Sequence, residues 1–131
     1  TYYNTEKVVA NDIGAITYFS DIHLLDFVGL GSVEMVPFNE KNKAYDEKFR
    51  SFLETHSDKQ GYRISMVYEK WLQGQVPRTW KKVAVLTIKG DMSVAYPDVA
   101  VYVIDRAIET ELKKNIRTFR WDKNVRVKIL D

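Results

Sequence analysis

Two apolar runs in the second half of the chain, Val83-Ala84-Val85-Leu86-Thr87-Ile88 and Val99-Ala100-Val101-Tyr102-Val103-Ile104, constrain the fold more than any other feature. Each is short, continuous and rich in β-branched side chains, which reads as a buried strand. Lys81 and Lys82 give the preceding loop a polar end, and Lys89-Gly90-Asp91 marks a turn after the first run. The residues between the runs are fewer than the dozen or so that a parallel crossover needs. The two are therefore expected as antiparallel neighbours.

Further strands are expected on either side. Val8-Val9-Ala10 reads as a short buried strand ended by Asn11-Asp12 and Gly14, and a helical turn is expected over Ala15 to Ser20. Leu24-Leu25-Asp26-Phe27-Val28 is a second strand, closed by Gly29-Leu30-Gly31. Two short, continuously apolar strands joined by a brief crossover suggest parallel neighbours in a covered sheet. Ile64, Met66 and Tyr68 alternate in a third strand over Arg63 to Tyr68. Val125-Arg126-Val127-Lys128-Ile129 closes the chain with period-two alternation, which suits an edge strand with one wet face.

Between these runs the period changes to that of a helix. From about Asn39 to His56, Tyr45, Phe49, Phe52, Leu53 and His56 share one face and Gly61 follows as a stop. Trp71, Leu72, Pro77 and Trp80 fall in a short helix and loop over Glu69 to Lys82. Asp105 is a candidate N-cap for a last helix, with Glu109 and Glu111 near its positive end and a stripe of Ile108, Leu112, Ile116 and Phe119. The sum predicts a single soluble α/β domain over residues 1–131. Its sheet is expected to be mixed and mostly parallel, flanked by helices, with an antiparallel hairpin and an edge strand.

Composition narrows the function classes. A hydrophobic content of 45% with 17 aromatic residues supplies a core, so disorder is not expected. Twenty Lys and Arg against 18 Asp and Glu leave a formal charge of +2, which argues against a nucleic-acid binder with its concentrated basic face. The absence of cysteine excludes disulfides, thiolate metal sites and a cysteine nucleophile. No apolar run approaches the roughly 18 residues of a spanning helix. A first residue of Thr rather than Met points to a processed or excised fragment.

Candidate chemistry is sparse. Asn11 and Asp12 end the first strand, where α/β folds bind ligands, but Asx residues before a glycine more ordinarily cap the local backbone. Asp26 stands inside an apolar strand, where a carboxylate is costly unless it is hydrogen-bonded. Bonds from the Asn11–Gly14 turn would satisfy it, and holding a sugar hydroxyl is the sharper alternative. Gly29-Leu30-Gly31 begins like a dinucleotide loop, yet position 34, where the third glycine belongs, is Glu34. His23 and His56 lie in no metal-binding pattern, and neither a G-x-S-x-G elbow nor a P-loop occurs. No cofactor, metal or catalytic residue is expected. Lys113, Lys114, Arg117 and Arg120 form a basic segment that ordinarily is a solvated face, with contact to anionic headgroups as the alternative.

The stretch Val8-Val9-Ala10-Asn11-Asp12-Ile13-Gly14-Ala15-Ile16-Thr17-Tyr18-Phe19-Ser20, continuing to Leu25-Asp26-Phe27-Val28-Gly29-Leu30, resembles a signature of known proteins. It is similar to the strand–NDIGAIGYFS–strand–D-x-x-GL pattern in C-terminal domains of bacterial integral-membrane glycosyltransferases, of the polyprenyl-phosphate-sugar-dependent protein mannosyltransferase class. Trp80 through Ile129 follows the same family's order of strand, turn, strand, helix and strand. Thr17 departs from the small residue the family often carries, and Asn39 to Trp80 has no diagnostic match.

The resemblance implies a non-catalytic domain on the extracytoplasmic face of a bacterial membrane, periplasmic or at the cell surface. Its membrane helices would precede Thr1 and hold the catalytic acid. The implied partners are that transmembrane part and a lipid-linked sugar donor or acceptor, with no nucleic acid. An independent α/β enzyme, or a domain binding a sugar nucleotide or methyl donor, is the competing reading. The failed glycine loop weighs against it.

Overall fold

The hairpin expected from the two central runs forms. Lys81–Ile88 (β4) and Asp98–Val103 (β5) pair antiparallel, from Lys81 opposite Val103 to Thr87 opposite Asp98. The computed structural model describes residues 7–10, 46–89 and 97–131, and the backbone alone of residues 23–26. Within them Lys7–Ala10 (β1) and His23–Asp26 (β2) are parallel neighbours, as the sequence suggests, with Ala10 opposite Asp26. Ile64–Val67 (β3) flanks β1 on its other side, and Val125–Ile129 (β6) lies against β4 at the sheet edge. The spatial order is β2-β1-β3-β5-β4-β6.

This order overturns the expectation of a mostly parallel sheet. Only β1–β2 and β1–β3 are parallel; β3–β5, β5–β4 and β4–β6 are antiparallel. The reason is topological. β5 does not stop beside its hairpin partner but slots between β3 and β4, running opposite to both, and β6 then returns along the free side of β4. Periodicity reports how a strand is covered and carries no information about which strand lies next to it.

Helices cover both faces of the sheet. Glu47–Lys59 (α1) lays Phe49 and Leu53 on the face formed by Val9, Val67, Ala100 and Tyr102, where Tyr62, Leu72 and Trp80 complete one core cluster. Glu109–Thr118 (α2) lays Leu112 and Ile116 on the opposite face, against Ile64, Val83, Ala84, Leu86, Val101 and Val103. Both helices use the stripe spacing visible in the sequence. Phe119, expected in the stripe of α2, instead caps its end and meets Trp121 edge-on at 4.7 Å.

The helix ends follow from capping chemistry. Asp46 accepts a hydrogen bond from the Phe49 amide at 3.1 Å and so starts α1. The chain leaves α1 through Gln60 and Gly61, whose φ of +74° suits glycine. The observed helix runs three residues beyond His56, and the expected start over residues 39–45 lies outside the described residues. Asp105 caps as expected, but it caps a 3₁₀ turn, Arg106–Ile108, that leads into α2. The helical turn expected over Ala15–Ser20 lies outside the described residues. Replacing Asp46 with Ala is expected to cost about 1 kcal/mol, read as a lower urea midpoint at unchanged slope.

Candidate functional site

A β-bulge sets up the best-formed polar cluster. The register of β4 against β5 slips by one residue between Lys82 and Ala84. Without the extra residue, Lys82 would share a face with Ala84 and Leu86, against α2. With it, Lys82 stands opposite Tyr102 on the α1 face. A 3₁₀ turn, Glu69–Leu72, follows β3 and folds back over that face. It brings the Glu69 carboxylate to both: Tyr102 Oη donates to Glu69 Oε1, and Lys82 Nζ lies 2.6 Å from the same oxygen.

The cluster borders a cavity of about 280 Å³ lined by Tyr68, Glu69, Lys70, Lys82, Val85 and Asp98, among others. Asp98 in turn accepts from Thr87 Oγ1 at 2.7 Å across the hairpin. Its lining includes Glu69 and Lys70, just past β3, and Asp98, the first residue of β5, at one end of the sheet. By register the parallel strands β1 and β2 finish at that same end, on Ala10 and Asp26. Strand ends of this kind are where α/β folds bind ligands.

Electrostatics decide what the cluster can do. Burial pushes the Glu69 carboxyl up, but the hydrogen bonds from Lys82 and Tyr102 outweigh it, and the net shift is downward. Burial, then the hydrogen bond to Glu69 and the Glu69 charge, push the Tyr102 hydroxyl well above its ordinary value. A general acid or base works best with its pKa near the operating pH. Both groups are moved away from neutrality, so Glu69 stays ionised and Tyr102 stays protonated. The arrangement offers fixed donors and acceptors, not a proton relay.

A second cluster forms at the opposite sheet end. Glu109, at the start of α2, meets Lys81 Nζ at 2.5 Å, Lys113 Nζ at 3.0 Å and Arg106 at 3.7 Å. The hydrogen bonds from Lys81 and then Lys113 hold its carboxyl at a pKa of about 2. One carboxylate thus serves three cations.

The residues singled out in the sequence fall as follows. Asp26 is the last residue of β2, opposite Ala10; its side chain, with Asn11, Asp12 and Gly29, lies outside the described residues. The basic segment of the last helix is divided. Lys113 is tied to Glu109 and lies 4.0 Å from Asp131, and Arg117 reaches Asp131 at 3.2 Å, while Lys114 and Arg120 are exposed. His56 stacks on Phe52 with ring centres 5.1 Å apart, a packing role. Among the described residues no set of His, Cys, Asp or Glu is placed to hold a metal, and no helix is long and apolar enough to cross a membrane. Glu69, Lys82 and Tyr102 carried one usable sequence signal: a tyrosine within an apolar run needs a hydroxyl partner once buried.

Fold and site together define an α/β domain with a six-stranded mixed sheet and a structural ionic cluster beside a small cavity. The chain belongs to the family described as Domain of unknown function (DUF8728), which it matches over residues 1–102. The match takes in β1 through Tyr102 and therefore the whole Glu69–Lys82–Tyr102 cluster; of the second cluster it takes in Lys81 alone, and Arg106, Glu109, Lys113 and β6 lie beyond it. No curated protein and no solved structure matches the chain.

Proposed function

We propose that this chain is an extracytoplasmic domain of a membrane glycosyltransferase that draws its sugar from a lipid-phosphate carrier. It packs over the membrane-embedded part and shapes the donor or acceptor cleft without supplying the catalytic acid. The observation that carries the reading is the Asn11-Asp12-Ile13-Gly14-Ala15 and Asp26-Phe27-Val28-Gly29-Leu30 signature. Its two halves follow or close β1 and β2, adjacent parallel strands with Ala10 opposite Asp26, so a signature split in sequence emerges from one sheet end. The locked state of Glu69 and Tyr102 suits a positioning role better than a chemical one.

Because the chain has no cysteine, a single introduced thiol reports its side of the membrane. Lys114 is exposed on α2, and Lys114→Cys leaves the core untouched. The test is made in the natural full-length gene product, expressed in intact bacterial cells opened only at the outer membrane, with any other thiol replaced. A membrane-impermeant maleimide is expected to label Cys at position 114 without lysis, with the product in the membrane fraction. Labelling that requires lysis, or a product free of the membrane, overturns the proposal.

A further inference from the structure

The core beneath α1 takes in only part of that face of the sheet. Val9, Val67, Ala100 and Tyr102, from β1, β3 and β5, pack into it. The same face continues onto β4 through Lys82, Val85 and Thr87, which stand opposite Tyr102, Ala100 and Asp98. These three β4 residues are only half-buried. The cavity of about 280 Å³ lies on this stretch, bordered by Tyr68, Glu69 and Lys70 from the end of β3 and the turn after it.

Its floor is apolar and its ends are polar. Val85 and Ala100 face each other across β4 and β5, with Lys82 on one side of that pair along the strands and Asp98 on the other. Each carboxylate keeps an oxygen in reserve. Glu69 accepts from both Tyr102 and Lys82 on Oε1, and among the described residues its Oε2 accepts nothing. Asp98 accepts from Thr87 on Oδ1 and likewise leaves Oδ2 open. Lys82 Nζ spends one of its three donors on Glu69.

These groups select a ligand class. An ionised carboxylate only accepts and an ammonium only donates, so a ligand that meets both in one small space needs groups that do each. Adjacent hydroxyls do. Among the described lining residues two carboxylates, Glu69 and Asp98, balance two ammonium groups, Lys70 and Lys82, which leaves no net charge to draw an ion. A zwitterion would compete with the 2.6 Å Lys82–Glu69 pair, whereas a hydroxyl adds to that pair without breaking it. The volume falls just below the range of about 300–1,000 Å³ that holds drug-sized ligands, so it matches a single ring and not a nucleotide or a lipid chain. We infer that the cavity binds one neutral monosaccharide unit, with hydroxyls on Glu69, Asp98 and Lys82 and the C–H face of the ring on Val85 and Ala100. The site rests on the cavity itself; that the hydroxylated ring is a sugar rests on the function proposed above.

The test titrates the chain with the methyl glycosides of mannose, glucose, galactose and N-acetylglucosamine, followed by backbone amide NMR. Glycine and inorganic phosphate serve as the zwitterionic and anionic comparisons. Saturable shifts at Glu69, Lys82, Val85 and Asp98 are expected with at least one glycoside, in the millimolar range of a ligand this small. Asp98→Asn keeps an oxygen for Thr87 and loses the open acceptor, and is expected to weaken binding about tenfold, as for one hydrogen bond to a charged group. Val85→Phe fills the floor, leaves every polar group in place and is expected to abolish binding. Lys114→Gln, on an exposed residue of α2 beyond the opposite face, is expected to change nothing. Circular dichroism and thermal unfolding confirm that the variants are folded. Absence of saturable shifts at these positions with every glycoside, tighter binding of glycine or phosphate, or unchanged affinity in both Asp98→Asn and Val85→Phe overturns the site. Thiol labelling at position 114 is read separately: outside labelling without glycoside binding rejects the cavity alone, and inside labelling rejects the extracytoplasmic reading.

Discussion

Replacing Phe49 with Ala is expected to cost about 3–5 kcal/mol of folding stability, the range for removing a buried aromatic ring. Phe49 is 1% exposed and sits on the first turn of α1, in the cluster that joins this helix to β1, β3 and β5. Its neighbours there, Leu53, Leu72 and Val67, are fully buried themselves and come from three different elements. A cavity bounded by several independent elements does not close by one side chain moving, so the upper part of the range is expected. Against a typical domain stability of about 5–15 kcal/mol, the loss is large enough to populate the unfolded state. Urea unfolding at constant slope measures it. A loss below about 1 kcal/mol, the typical cost of an arbitrary substitution, would mean that α1 is not anchored through this residue. Phe52, one position from Leu53 but only half-buried, serves as the contrast, and Phe52→Ala is expected to cost clearly less.

The same contrast shows what the sequence makes legible. The helical stripe gave Phe49 and Leu53 a core position and Gly61 a stop, and both follow from local rules. The β4–β5 hairpin was legible because its connection is too short for any alternative. The edge position of β6 was legible because Arg126 and Lys128 alternate with Val125, Val127 and Ile129, and a charged row needs water. Strand order was not legible. Inserting β5 between β3 and β4 is a choice among pairings separated by dozens of residues, and no local pattern encodes it. The Glu69–Lys82–Tyr102 cluster was hidden for two compounded reasons. It depends on that strand order, and it depends on a bulge of one residue that moves Lys82 to the other face. The signature residues Asn11, Asp12 and Asp26 stood out because a carboxylate or an Asx–Gly turn interrupts an apolar run; a lysine at a strand's first residues interrupts nothing.

Ala10 and Asp26, where β1 and β2 finish, lie at the same sheet end as Glu69 and Asp98, which line the cavity.

Removing the Tyr102 hydroxyl tests whether the ionic cluster holds the structure together. Tyr102→Phe keeps the ring that packs against Trp80 at 5.9 Å and deletes only the bond to Glu69. Hydrogen bonds to charged groups contribute about 1.5–3 kcal/mol, and a value near 1.5 kcal/mol is expected because the Glu69 side chain is 39% exposed and water competes for it. The pH dependence distinguishes this from a packing effect. Glu69 titrates lower in the folded chain than its ordinary 4.5, so its contribution is present above that value and is lost as pH falls through the folded titration. Tyr102 titrates higher than its ordinary 10.0, so its contribution is present below that value and is lost as pH rises beyond it. The stability gap between the native chain and Tyr102→Phe is therefore expected to be widest near neutrality and to narrow on both the acid and the alkaline side. Denaturant melts across the pH range read this directly. A gap that stays constant with pH would assign the loss to packing around the ring and remove the carboxylate from the account; a gap that narrows only at high pH would mean that Lys82 alone keeps Glu69 ionised and that the tyrosine bond adds nothing to it.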